Sequence, residues 1–205
     1  MKDTQASINN GFVMKTKRTE TVKKLKIKKY LGKWYEVARM PNWFQGDNKI
    51  LSPLRIGKNA TAEYQLISDN KLSVVNTHRL VWRNNFLSKL LKSKLVRSIG
   101  TAVSRKHEKS QITVDFNIFT RIINYIKQKL QKQTTNYLVV YVSESEEQYE
   151  HSIVVSPDKK YAWILSRKDP WHMSGEDIED VRGLLHELEF RGVDINKLVM
   201  HDKLL

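Results

Sequence analysis

Between residues 33 and 167 the chain reads as eight short runs of alternating side chains, and that pattern leaves few folds open. Residues 33–43 place Trp34, Glu36, Ala38 and Met40 on one face and Lys33, Tyr35, Val37 and Arg39 on the other. Residues 59–68 set Ala62, Tyr64 and Leu66 on one face. Asp69-Asn70 then reads as a tight hairpin turn, and 71–80 continues with Leu72, Val74, Asn76 and His78. Gly100 and Ala102 share a face of 98–107, and 111–119 alternates Ile112, Val114, Phe116 and Ile118 with Thr113, Asp115 and Asn117. Residues 136–144, with Tyr137 and Tyr141, are aromatic and β-branched, and 148–156 and 160–167 flank the turn Pro157-Asp158. A period of two is that of a strand with one buried face. Eight such runs in succession predict an antiparallel up-and-down barrel.

One helix follows. Ser174 is placed as its N-cap with Asp177 three residues on, a variant of the capping box. Ile178, Val181, Leu185 and Leu188 then recur at helical spacing, which gives one apolar face. Gly192 sits where the chain should leave the helix, and 197–201 reads as a short closing strand.

Two segments at opposite ends of the array carry a resemblance. The first is Tyr-Leu-Gly-Lys-Trp-Tyr-Glu at 30–36 and the second Trp-Ile-Leu-Ser-Arg at 163–167, supported by Ala-x-Tyr-x-Leu at 62–66 and Val-x-Asn at 74–76. Over about residues 27–203 the chain resembles the lipocalins, nearest the bacterial lipocalin and apolipoprotein D branch. The resemblance implies an all-β calycin barrel with one C-terminal helix, a cup that holds a hydrophobic or amphiphilic small molecule. It implies that Gly32 and Trp34 close the base of the cup, with Arg167 lying across the indole. Such a pairing has physical sense, because a planar guanidinium stacks on an aromatic face and keeps its donors free for carbonyls. Trp163 matches an aromatic that lines the pocket, and Tyr149 falls where a degenerate second motif should be. Members of the bacterial branch are commonly outer-membrane lipoproteins, and this chain has no cysteine to acylate.

Charge adds a second expectation. There are 36 basic and 22 acidic residues, a formal charge of +14, which argues for an anionic partner. The absence of cysteine excludes disulfides, thiol catalysis and thiolate metal sites. No apolar run is long enough to span a bilayer, and no apolar signal region opens the chain. The expected location is therefore the cytoplasm or the cytoplasmic face of a membrane, or an extracytoplasmic compartment if a signal has been removed. Residues 1–26 read as a basic flexible tail ahead of one domain over 27–205.

Two stretches look like insertions at the open end of the cup. Residues 81–97 carry Arg83, Lys89, Lys92, Lys94 and Arg97 with Phe86, Leu90, Leu91 and Leu95, and no acid. Residues 120–135 carry Arg121, Lys127, Lys129 and Lys132 with Ile122, Ile126 and Leu130, again with no acid. Basic amphipathic helices of this kind lie in the plane of an anionic lipid surface. The same pattern suits a lid with its apolar face folded inward.

The candidate ligand-binding residues are Trp163, Tyr137, Tyr141, Tyr64, Asn76, Glu36, Met40 and Phe116. The candidate membrane contacts are Lys89, Lys92, Lys94, Arg121, Lys127 and Lys129. The expected function is binding, transport or storage of a fatty acid, lysophospholipid or similar lipid, without catalysis, cofactor or metal. Two other classes stay open: a lipid-modifying enzyme using Glu36, His78 or Tyr64 as acid or base, and a basic nucleic-acid binder.

Overall fold

The computed structural model describes residues 20–42, 45–47, 49–50, 52–116, 136–143 and 146–204. Eight antiparallel strands close into a barrel: β1 Gly32–Arg39, β2 Arg55–Ser68, β3 Lys71–Trp82, β4 Lys94–Ser104, β5 Gln111–Phe116, β6 Tyr137–Val142, β7 His151–Val155 and β8 Ala162–Ser166. Each strand pairs with the next, β8 pairs with β1, and β1 pairs with β2 over Gly32–Tyr35. Beyond Tyr35, β1 leaves β2 and pairs instead with a ninth strand, β9 Val199–Met200.

A short helix, α1 Ile27–Tyr30, precedes β1. Part of the segment read as tail is built into the fold as well: Leu25 is buried, and the Val22 N–H donates to the Val139 carbonyl. A second helix, α2 Asn85–Leu90, caps the tip of the long β3–β4 hairpin, with the Asn84 side chain accepting from the Leu87 N–H. Only these six residues of the stretch 81–97 are helical, because Lys94, Leu95 and Arg97 continue the ladder against β3. The other expected insertion, 120–135, lies outside the described residues.

The third helix, α3 Gly175–Phe190, packs on the outside of the barrel. The Ser174 hydroxyl accepts from the Asp177 N–H, and the Asp177 carboxylate accepts from the Ser174 N–H. Hydrogen bonds from Lys168 and Ser174 hold the Asp177 carboxyl down at about 2. Val181, Leu184 and Leu188 pack on Val37, Ala38, Leu138, Val140, Ile153, Val155 and Ile164, the outer faces of β1, β6, β7 and β8. Gly192, at φ +81°, supplies the left-handed turn that ends the helix.

Two bulges set which side chains enter the cup. The β1–β8 register jumps between Glu36 and Ala38, so Ala38 pairs with outward Ile164 and Arg39 with inward Trp163. One extra residue reverses every side chain after it. Met40 therefore joins the cluster beneath α3 and does not line the cup. A second jump between Val139 and Tyr141 does the same on β6, where Tyr137 faces inward and Tyr141 outward against the α3 side. The expected cup-lining roles of Met40 and Tyr141 are corrected for this reason.

β9 is fastened by His201. Its Nδ1 accepts the Lys203 N–H, so the proton sits on Nε2, which donates to the Asn59 Oδ1 at 3.0 Å. Trp171 meets the ring edge-on. Burial lowers the His201 pKa and outweighs the pull of Asp202 and Asp169; burial lowers His78 and His151 as well. A histidine held neutral by the fold contributes stability above its unfolded pKa of about 6.5, and that contribution is lost as pH falls through the lowered folded value. The urea midpoint is expected to fall between pH 7 and pH 5, and His201→Gln should flatten that fall. An identical pH profile in the variant would contradict the assignment.

Candidate functional site

The closed end of the barrel is solid. The Arg167 guanidinium carbon lies 3.7 Å from the Trp34 ring centroid. Its nitrogens donate to the carbonyls of Tyr149 at 3.0 Å, Lys33 at 2.7 Å, Lys29 at 3.0 Å and Leu31 at 2.8 Å. Four carbonyls from two crossing segments, 29–33 and the turn at Tyr149, are thus gathered by one rigid fork, a task that a lysine ammonium cannot perform in the same plane. The Trp34 indole N–H donates to the Tyr30 carbonyl at 2.9 Å. Gly32 sits at φ +90°, and a Cβ there would stand 3.4 Å from the Arg167 Nη1.

Above this base lies a floor of phenols. The Tyr64 and Tyr137 hydroxyls meet at 2.9 Å, bridging β2 to β6, and the Tyr30 hydroxyl meets Ser152 Oγ at 3.1 Å. Burial raises all three tyrosine pKa values, so each is a neutral phenol. Beneath the bridge Trp34, Tyr30, Leu72, Ile112, Val139 and Val154 are fully buried. Gly100 is needed beside it, since a Cβ there would fall 2.3 Å from the Asp115 carbonyl oxygen and 2.8 Å from the Phe116 ring.

The inward side chains on the open side of this floor are only half-buried: Asn76 and His78 on β3, Val96 and Ser98 on β4, Val114 and Phe116 on β5, Tyr137 on β6 and Trp163 on β8. Inward position with incomplete burial means that these groups border open space. Trp163 stacks between Tyr137 and Tyr161, at centroid distances of 6.1 Å and 6.2 Å. The Asn76 Oδ1 is buried without a protein hydrogen-bond partner among the described residues. The wall is therefore aromatic toward β5–β8 and polar toward β3.

The remaining side of the mouth holds an ion cluster. Arg39 donates through Nε and Nη2 to both oxygens of Asp47, at 2.9 and 2.8 Å, and through Nη1 to Glu36 at 2.5 Å. Its Nη2 also reaches the Gly57 carbonyl at 3.0 Å. The second Glu36 oxygen accepts from Gln45 Nε2 at 2.9 Å. Arg39, Asn42 and Gln45 are all buried. Glu36 is thus engaged on both oxygens by protein donors, and no free carboxylate is left there to orient a head group or take a proton. No local cue announces this cluster: Arg39 reads as outward until the bulge turns it in, and polar Gln45 and Asp47 simply follow the strand read over 33–43.

The candidate membrane lysines Lys89, Lys92 and Lys94 are exposed on and beside α2, in the company of exposed Phe86, Leu90 and Leu91. Arg83 ties this tip to the β1–β2 loop by donating to the carbonyls of Ser52 and Gly46. Arg121, Lys127 and Lys129 lie outside the described residues.

A closed eight-stranded barrel with an outer C-terminal helix is the fold that the resemblance implies. The lipocalin-like domain family matches residues 25–203. The chain belongs to the lipocalin family. Among relatives it is 28% identical to temperature-induced lipocalin-1 of Arabidopsis thaliana, over 89% of this chain and 81% of that one. It is 24% identical to the outer membrane lipoprotein Blc of Vibrio cholerae, over 93% of this chain and 90% of that one. Among solved structures, the amine binding protein of Rhodnius prolixus in its tryptamine complex is 13% identical, with a TM-score of 0.42, over 89% of this chain and 83% of that one. Lipocalins are in general binding proteins for small molecules, and membership supports that role for this lipocalin.

Proposed function

We propose that this lipocalin binds a small amphiphile, a fatty acid, lysophospholipid or similar lipid, in the open half of its barrel, and that it docks on an anionic membrane surface through the basic loops around the mouth. The observation that carries the binding role is the ring of inward but half-buried side chains above the Tyr64–Tyr137 floor. Trp163, Tyr137 and Phe116 offer the apolar wall to the hydrocarbon part, and Asn76 offers a side-chain oxygen without a hydrogen-bond partner among the described residues. Burying an acyl chain against such a wall is worth roughly 25 cal/mol per Å² of apolar surface removed from water. The docking role draws on exposed Phe86, Leu90 and Leu91 beside Lys89, Lys92 and Lys94, with Ile50 and Leu54 exposed on the neighbouring loop. Each base near an anionic leaflet adds roughly 1 kcal/mol.

Displacement of the uncharged probe N-phenyl-1-naphthylamine tests the cup. Trp163→Ala and Phe116→Ala are expected to weaken probe binding about tenfold or more, a loss of about 1.4 kcal/mol or above. Met40→Ala and Tyr141→Ala, which alter the outer wall, should leave it unchanged. Equal effects from both pairs would mean that the probe is not in the barrel. Flotation on vesicles with and without phosphatidylserine tests docking, and replacing Lys89, Lys92 and Lys94 by serine should abolish recovery on the anionic ones.

A further inference from the structure

The outer face of β4 turns three aliphatic side chains, Leu95, Ile99 and Val103, to solvent. On β4, burial alternates so that Val96, Ser98, Gly100 and Ala102 face the cup and Leu95, Arg97, Ile99, Thr101 and Val103 face out. Leu95, Ile99 and Val103 are 60%, 47% and 41% exposed. An antiparallel sheet with one face on a core ordinarily turns polar side chains to water, so a row of three exposed aliphatics on one strand asks for a partner. Their cross-strand neighbours on β3 are Arg79, Val75 and Lys71, and Arg97 stands opposite Thr77. At the tip of the same hairpin Phe86 and Leu90 are exposed as well.

Charge identifies the partner. From Lys71 to His107 the chain has nine Lys and Arg and no Asp or Glu. The nearest acids on the flanking strands are Glu63 on β2, opposite Val75, and Asp115 on β5, opposite Thr101, so the acid-free face is confined to β3 and β4. A second copy of the same face would set Lys71, Arg79 and Arg97 against their own like, with no acid on β3 or β4 to offset them. A nucleic acid would satisfy the bases and leave the aliphatic row uncovered. An anionic lipid leaflet covers both, with apolar side chains at the acyl boundary and bases at the phosphates.

Resting on the docking role proposed above, we infer that β4 itself is part of the membrane-contact surface. The barrel lies on its side, with Leu95, Ile99 and Val103 against the leaflet and Lys71, Arg79 and Arg97 beside them. From Leu95 to Val103 the strand runs about 27 Å, so contact extends well down the barrel wall and the mouth opens along the surface.

The chain has no cysteine, so single cysteines can be labelled without background. An environment-sensitive nitrobenzoxadiazole label is placed in turn at Phe86→Cys, Leu95→Cys, Ile99→Cys, Val103→Cys and, on the far side, Asp180→Cys, and mixed with vesicles of phosphatidylcholine containing phosphatidylserine. The inference expects blue shifts at 86, 95, 99 and 103 and none at 180. A shift at 86 alone would overturn side-on contact and leave mouth-first docking standing. No shift anywhere, with no flotation, would overturn the docking role and the inference together. Shifts that follow protein concentration without vesicles, or that RNA reproduces, would overturn the inference in favour of a second copy or of nucleic acid. Arg97→Gln, at an exposed site, is expected to cut partitioning onto the anionic vesicles about fivefold without moving the unfolding midpoint.

Discussion

Trp34→Ala costs this lipocalin about 3–5 kcal/mol in urea unfolding, the range for an aromatic removed from a packed core. The loss compounds two effects: a cavity among Tyr30, Tyr64 and Leu72, and an Arg167 guanidinium deprived of the face it covers. Arg167→Lys separates them. It keeps the charge and much of the volume, but a single ammonium cannot serve the Tyr149, Lys33, Lys29 and Leu31 carbonyls together. The expected cost is about 2–3 kcal/mol, from charge-assisted hydrogen bonds lost at partly buried acceptors. A lysine variant as stable as the parent would mean that charge alone closes the base.

Arg39→Met is expected to be as damaging, at about 3–5 kcal/mol, because it strands two carboxylates that the fold has already desolvated. The Glu36 and Asp47 side chains are only 10% and 4% exposed and share this one guanidinium. The companion experiment decides the cause. Adding Glu36→Gln and Asp47→Asn to Arg39→Met removes the uncompensated charge and should recover more than half of the loss. If the triple variant is no better than Arg39→Met, the damage is steric and the cluster is not held by charge.

These two sites mark the boundary of what the sequence disclosed. Alternation identified the strands, and the Ser174–Asp177 pair and the spacing of Val181 and Leu188 located α3, because both signals are local. The words around Trp34 and Trp163 carried the family. A bulge is not local in this sense: nothing in Glu36-Val37-Ala38 or Val139-Val140-Tyr141 announces the extra residue, yet it decides that Arg39 enters the cup while Met40 and Tyr141 leave it. Buried polar loops are hidden for a related reason. Gln45 and Asp47 look solvated unless their partners, Glu36 and Arg39 on β1, are known, and Asn42 is held inside the loop by Gln45 and Asp47. The stretch 81–97 misled through its composition, since leucines and lysines at helical spacing also satisfy a strand at Leu95 and Arg97. Its helical part ends at Leu90.

The central claim is that the half above the Tyr64–Tyr137 bridge holds one amphiphile per chain. The most direct measurement is mass spectrometry of organic extracts from the purified protein after incubation with a mixture of fatty acids and lysophospholipids. The account predicts one retained amphiphile at close to one per chain, with retention strongly reduced in Trp163→Ala and unchanged in Tyr141→Ala. A protein that retains nothing from the mixture, or retains as much with Trp163 removed, would contradict it.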